Sequence, residues 1–445
     1  MQLLVAAVRV DGGTTSEGSC TARVVRLLVE RGHQVRLLVG AAGPRGSGAE
    51  VARAAVGVPL DVVEVATSAS RWSWLGQRAA RVPTRYRPDL PVQVATGFGL
   101  EELAATAAWR AALLRHEAEM APDATIVRGA GLDVHPLLAR CSHGGPWVAH
   151  LHDPWPISWY PASYASRSRL VSARQEVAAR RILRSAPAVT APSARLLDWT
   201  AGASGVDLGD RGHVVAHLGP PAGRRSGAAE PVAGLLPDRP FVLCHAGTLL
   251  GPRDPRLILA AVERVRRAEP AAREQLGLAF VGALDRRHHD DASLAALVQA
   301  GREEGWLALH DGRVALESAL ATVASAQVGV VIEADDPLSP FFPAKLADLL
   351  GGGGPVLALS PRRSAAADLL GSDHPLRVDP GDVGAVAIAV ERAWRAWRAG
   401  DLDDLRPPEA SRALVAGDVV GPALEAAVAA AIEAGQAGVS RPPGG

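Results

Sequence analysis

Lysine is nearly absent from this chain. Of 47 basic residues in 445, only Lys345 is a lysine and every other is arginine. In a composition rich in alanine, arginine and glycine, a surviving lysine marks a position suited to a compact ammonium rather than a planar guanidinium. Cysteine is scarce too: Cys20, Cys141 and Cys244 are far apart and odd in number. That argues against a disulfide framework or a cysteine zinc site and fits a reducing cytoplasm. Net charge is missing, with 47 acidic residues against 47 basic, so no general attraction to nucleic acid or anionic membrane is expected. No apolar run is long enough to span a bilayer, and the apolar start at residues 2–8 is too short for a signal-peptide core. A chain of this length exceeds one ordinary core and predicts at least two domains.

What the chain does contain is a repeated alternation of strand and helix. Residues 3–8 read as a buried strand, 11–18 as a glycine-bearing loop, the segment through 31 as an amphipathic helix and 34–39 as a second strand. This βαβ opening, with its right-handed crossover, starts a doubly wound sheet. Further strands are expected at 62–65, 125–128, 147–151, 188–190 and 213–218. Helices are expected at 51–55, 100–120, 136–140 and 167–184, with another beginning after Ser193. Residues 71–87 set Trp72, Trp74 and Tyr86 among five arginines. That composition suits an acceptor or a weak membrane-surface contact, and equally a solvated loop with a tryptophan packed beneath it. Residues 219–239 are rich in glycine and proline, lack periodicity and read as a linker. The pattern then restarts. Strands at 241–245, 276–281, 307–310, 328–332, 356–359 and 376–378 alternate with helices at 256–267, 294–304, 317–325, 364–370 and 383–398, and a last helix covers 421–434.

Lys345 lies within SPFFPAKLADLLGGGGPVLALS, residues 339–360. Pro343 suits the first turn of a short helix, which the glycines from Gly351 end. The start of such a helix is an anion site, and a cation there opposes the helix dipole unless negative charge lies in front of it. Asp348, three residues on, shares a face with Lys345. The two form either an intrahelical ion pair worth about 0.2 to 0.5 kcal/mol or a phosphate ligand beside a carboxylate for ribose hydroxyls. Gly247 and Thr248 follow the strand at 241–245, Arg253 lies further along the same loop, and His152-Asp153 follow the strand at 147–151. Strand C-terminal ends are where open α/β sheets place their chemistry. Two doubly wound α/β domains would face each other across a cleft suited to a nucleotide and a second substrate. Asp335-Asp336 reads as a solvated turn rather than a metal site, so neither metal nor cofactor is expected. The glycines at 12, 13 and 18 lack GxGxxG spacing, which disfavours a dinucleotide dehydrogenase.

The pieces FVLCHAGTLLGPRDP, LAFVG and SPFFPAKLADLLGGGGPVLALS, with the Gly12-Gly13 loop, RGHQV and HLHDPWP nearer the N-terminus, together resemble a GT-B glycosyltransferase. The family in question is the large retaining one, family 4, which includes sucrose synthases and many bacterial polysaccharide and natural-product transferases. The resemblance covers nearly the whole chain and is weakest over 40–95 and 160–235. It implies an α/β GT-B fold of two Rossmann-like domains: 1–222 for the acceptor, a linker at 223–239, and 240–420 for the nucleotide sugar. Residues 421–445 would form a helix packing back on the N-terminal domain and a frayed tail. The implied reaction moves a sugar from a UDP-, GDP- or dTDP-linked donor to a sugar, lipid-linked or natural-product acceptor hydroxyl, with retention. Composition places the chain in the cytoplasm, with weak contact at the inner face of the membrane through residues 71–87 as a further expectation.

Position by position, the resemblance implies that Gly247 and Thr248 approach the donor diphosphate. Arg253 stands where the family usually has a phosphate-binding lysine. Lys345-Leu346 and Asp348 match its Lys-Leu-x-Glu segment, with Asp348 in the place of the second glutamate of Glu-x7-Glu. His152-Asp153 match the histidine segment at the active-site edge. Gly12 and Gly13 match the loop lining acceptor and diphosphate, with Gly18 a rival for one glycine role. Thr248 stands where many relatives place an arginine, and Pro340 stands where the first glutamate would be. Ser339 and the backbone N–H groups of Phe341 and Phe342 complete the donor-facing set in its stead. Alternatives are a GT-B sugar-nucleotide epimerase and a non-catalytic nucleotide-sugar-binding subunit. A phosphorylase is disfavoured because the only lysine is already assigned.

Overall fold

The computed structural model describes residues 1–13, 15–41, 47–67, 89–129, 133–164, 169–220, 232 and 234–439. The segment 71–87, most of the expected linker (223–231 and 233) and the tail 440–445 lie outside the described residues. The chain divides into two compact units: Met1–Tyr160, Tyr164–Ala216 and Val420–Gly445 form one, Pro161–Ser163 and His217–Val419 the other.

The first unit is built on seven strands: β1 (Gln2–Ala7), β2 (Gln34–Gly40), β3 (Asp61–Val65), β4 (Ala124–Gly129), β5 (Trp147–Leu151), β6 (Ala188–Ala191) and β7 (Gly212–Val214). They pair in parallel in the order β3-β2-β1-β4-β5-β6-β7. The direction of winding reverses between β1 and β4, where Ala7 lies opposite Arg128. Such a switch point leaves a crevice at the strand C-terminal ends. The second unit has six strands: β8 (Phe241–Ala246), β9 (Leu276–Val281), β10 (Leu307–His310), β11 (Val328–Ile332), β12 (Val356–Leu359) and β13 (Arg377–Val378). Their order is β10-β9-β8-β11-β12-β13, again parallel, with the switch between β8 and β11.

Strands covered on both faces carry apolar residues at successive positions. In β11, Val328, Val330 and Ile332 join the core with Leu243, Leu278, Leu357 and Trp394. Val331 points the other way, to the core of Phe342, Leu346 and Leu350. Most expected elements form with ends moved by one or two residues. Beyond Val214 the expected strand at 213–218 does not continue. The last helix runs Gly417–Val439 and holds Pro422 in its interior, starting four residues before the expected Gly421. The short helices Leu90–Thr96, Pro270–Gln275, Arg286–His289 and Glu409–Ala413 have no counterpart in the sequence reading.

Candidate functional site

At the switch point of the second sheet, β8 ends just past His245 and the chain turns at Gly247, whose φ is +128°. An ideal Cβ on Gly247 would lie 2.9 Å from Lys345 Nζ. A side chain here would strain the backbone and displace the ammonium together. Gly282, at the end of β9, packs directly on this turn: its φ is +144°, and a Cβ there would lie 2.6 Å from the Gly247 carbonyl oxygen.

Lys345 is the second residue of the helix Ala344–Gly352, and Pro343 is its N-cap. Pro343 therefore stands one position before the first turn rather than in it, with extended backbone. The Lys345 ammonium lies 2.8 Å from His245 Nε2. On the other side of that ring, Nδ1 lies 3.0 Å from the Val330 carbonyl oxygen. A carbonyl only accepts, so Nδ1 carries the proton and Nε2 presents its lone pair to the ammonium. Burial, then the positive charges of Lys345 and Arg253, hold the His245 pKa well below its ordinary value, and the ring is neutral. Burial and then Arg253 also push the Lys345 pKa well down, while Asp348 opposes. Two cations held close together at a helix N-terminus are relieved by an anion.

Glu333 follows β11 directly and is 3% exposed. Its Oε2 accepts from the Ser339 hydroxyl, whereas Oε1 is buried with no hydrogen-bond partner among the described residues. Burial raises its pKa to about 7, with the Ser339 hydroxyl and Arg253 pulling the other way. A carboxyl group thus reaches the same loop as Pro340 from outside the expected motif. Arg253 acts electrostatically on Lys345, His245 and Glu333 alike. The side chains of Phe341, Phe342 and Leu346 are buried, Phe342 and Leu346 in one core cluster. Any ligand contact from these three is through backbone. Thr248 is exposed.

In the first unit, Asp11 organises the loop after β1. Its carboxylate accepts from the N–H groups of Gly13 and Thr15, each at 3.0 Å, and from the Thr15 hydroxyl at 2.8 Å. Thr15 in turn caps the helix Ser16–Glu30 by accepting from the Gly18 N–H. A Cβ on Gly18 would fall 2.3 Å from Asp11 Oδ2, so Gly18 makes room for this carboxylate. Gly13 has φ +128°, and the space around a Cβ on Gly12 is open. His152 is 4% exposed; burial lowers its pKa, Asp153 opposing and Arg128 adding to the effect. Asp153 is half-buried beside it, while Trp155 and Trp159 of the same segment join the core.

The structure therefore brings Gly247, Arg253, Lys345 and Ser339 into one neighbourhood and adds His245 and Glu333, which sequence reasoning missed. The signal for His245 was a lone polar residue in a fully buried strand, and for Glu333 an acidic residue immediately after one.

Two doubly wound parallel sheets in succession, with chemistry at their switch points, define the GT-B architecture. Solved structures share it over the full chain. An α,α-trehalose-phosphate synthase (UDP-forming) from Burkholderia xenovorans in complex with glucose-6-phosphate has 13% identity and a TM-score of 0.61, with 96% of this chain and 100% of that one covered. A sucrose-phosphate synthase from Thermosynechococcus elongatus has 15% identity and a TM-score of 0.56, over 99% and 98%. A glycosyltransferase from Rickettsia africae has 11% identity and a TM-score of 0.60, over 96% and 98%. No protein-family model and no curated protein matches the sequence. Among the described residues, no helix is long and apolar enough to cross a membrane.

Proposed function

We propose that the chain is a glycosyltransferase that moves a sugar from a nucleoside-diphosphate sugar to an acceptor hydroxyl. The observation that carries this reading is the convergence of Lys345, Arg253 and the N-terminus of the helix Ala344–Gly352 beside the close backbone turn at Gly247. In the proposed reaction the bond from the sugar C1 to the diphosphate oxygen breaks, and a bond from C1 to the acceptor oxygen forms. The acceptor proton goes to the departing phosphate. Negative charge grows on the diphosphate, and preorganised cations that already repel one another stabilise it without reorganising. The proposal includes retention of configuration, which follows from the family resemblance, and a metal-free diphosphate, because Asp335-Asp336 reads as a solvated turn rather than a metal site. His152 and Asp153 act on the sugar or acceptor, and Asp348 takes the ribose hydroxyls. The synthase from Burkholderia xenovorans is UDP-forming, which makes UDP-sugars the first donors to test.

The test is donor turnover by Lys345→Ala, with Lys345→Met as a variant that keeps the volume. Both should lose about 10²- to 10³-fold or more in rate, the scale of removing one preorganised charge-stabilising donor, with melting temperature unchanged or raised. Near-normal turnover in a folded variant overturns the scheme. Donor hydrolysis or isomerisation without any acceptor dependence would favour an epimerase instead.

A further inference from the structure

A second set of buried polar groups lies at the other switch point, on the first unit alone. Arg128, the penultimate residue of β4, is 2% exposed. Its Nε donates to the Thr21 hydroxyl at 3.0 Å, and its Nη1 is buried with no hydrogen-bond partner among the described residues. Glu17 stands one helical turn before Thr21, on the same face of the helix Ser16–Glu30. It is 8% exposed, and its Oε1 is likewise buried without a partner among the described residues. The guanidinium, fixed at Thr21, therefore lies against the face that carries Glu17. The two act on each other electrostatically yet form no ion pair within 4.0 Å. A buried carboxyl and a buried guanidinium, each with an unused hydrogen-bonding atom among the described residues, fit a group that donates to one and accepts from the other.

We propose that Glu17 and Arg128 form a subsite for an uncharged hydroxyl group of a polyol acceptor, at the C-terminal edge of the β1 and β4 strands. The surroundings decide between a hydroxyl and an anion. Asp133 and Asp153 both act on Glu17, and Arg9 is already paired with Asp133 at 2.6 Å. Among the described residues Arg128 and Arg9 are the cations that act on Glu17, set against the carboxylates of Asp133 and Asp153, a balance that offers no net positive charge to a phosphate and tolerates a neutral hydroxyl. Burial first, then Asp133 and Asp153, raise the Glu17 pKa well above its ordinary value; a carboxyl that holds its proton donates as well as accepts. The acceptor role rests on the glycosyltransferase reading; the choice of hydroxyl over phosphate does not.

The experiment is ligand-detected saturation-transfer NMR on the full chain with D-glucose, D-mannose, D-galactose and myo-inositol, against inorganic phosphate and glucose 6-phosphate. At least one neutral polyol should bind. Glu17→Leu, which keeps the volume and removes both oxygens, should weaken it about tenfold or more, the effect of losing a hydrogen bond to a buried polar group. Glu17→Gln, which restores one hydrogen-bonding oxygen, should recover most of that loss. UDP binding, followed by thermal shift, should be the same in all three proteins, which separates a failed subsite from a failed donor site or a failed fold. Binding of no neutral polyol, polyol binding indifferent to Glu17→Leu, or tighter binding of glucose 6-phosphate than of glucose each overturns the proposal.

Discussion

The carboxyl of Glu333 shows how much a single buried residue can control. Its pKa is raised from the ordinary 4.5 to about 7. Below the lower value the group is protonated whether the chain is folded or not, and it takes nothing from stability. As pH climbs from there toward 7, the unfolded chain gives up its proton first, and stability falls by about 3 kcal/mol in all. Glu333→Gln removes this titration. Melting temperatures measured between about pH 5 and pH 7 should therefore fall in the parent and fall less in the variant; parallel curves would show that the carboxyl is not buried in this way. Lys345 was legible in the sequence because composition singled it out. Its partner His245 was not, because 100 residues separate the two and only the pairing of β8 with β11 brings the ring under the ammonium. Glu333 escaped for a related reason: the expected motif fixed attention on position 340, while the strand end delivers a carboxyl to the same loop from position 333.

At the scale of elements, the sequence was most legible where both faces of a strand are buried. The bounds expected for β5, β9, β11 and β12 agree with those observed, because a nearly unbroken apolar run flanked by polar or glycine residues has few other readings. The four missed helices are all seven residues or shorter, too short to display a period. Loops were legible only as glycine content. The loop after β1 illustrates the difference: Gly18 read as a possible lining of the diphosphate, but its missing side chain admits the Asp11 carboxylate that ties Gly13 and Thr15 together. Gly18→Ala should consequently disrupt the helix cap and the loop at once, at about 2 kcal/mol or more. Hydrogen exchange of the Thr15 and Gly18 amides reads this directly, and unchanged protection would refute the role.

At the scale of the molecule, the first unit is discontinuous. The chain leaves it at Ala216 and returns at Val420. The returning helix buries Val420, Leu424, Ala427, Val428 and Ala431, spaced along one face. Arg31 holds Glu425 through two hydrogen bonds of 2.7 Å, and His33 adds a third contact at 2.8 Å. The Arg31 guanidinium, with His33, brings the Glu425 pKa down to about 2. Burial of the three larger aliphatic side chains alone contributes on the order of 5 kcal/mol, comparable with the whole stability of an ordinary domain. A chain stopped after residue 419 should accordingly lose the cooperative melting of the first unit in calorimetry, while UDP still protects the second. Retention of both transitions would contradict this account.

That return of the chain also sets an order of events during synthesis. All seven strands of the first sheet are made before any strand of the second, yet the helix face that finishes the first unit is translated after the second unit is complete. The half of the protein that begins folding first is the half that finishes last, and until then it carries an uncovered apolar face. Any chain released early therefore keeps a mark of its incompleteness that a chaperone or protease can recognise.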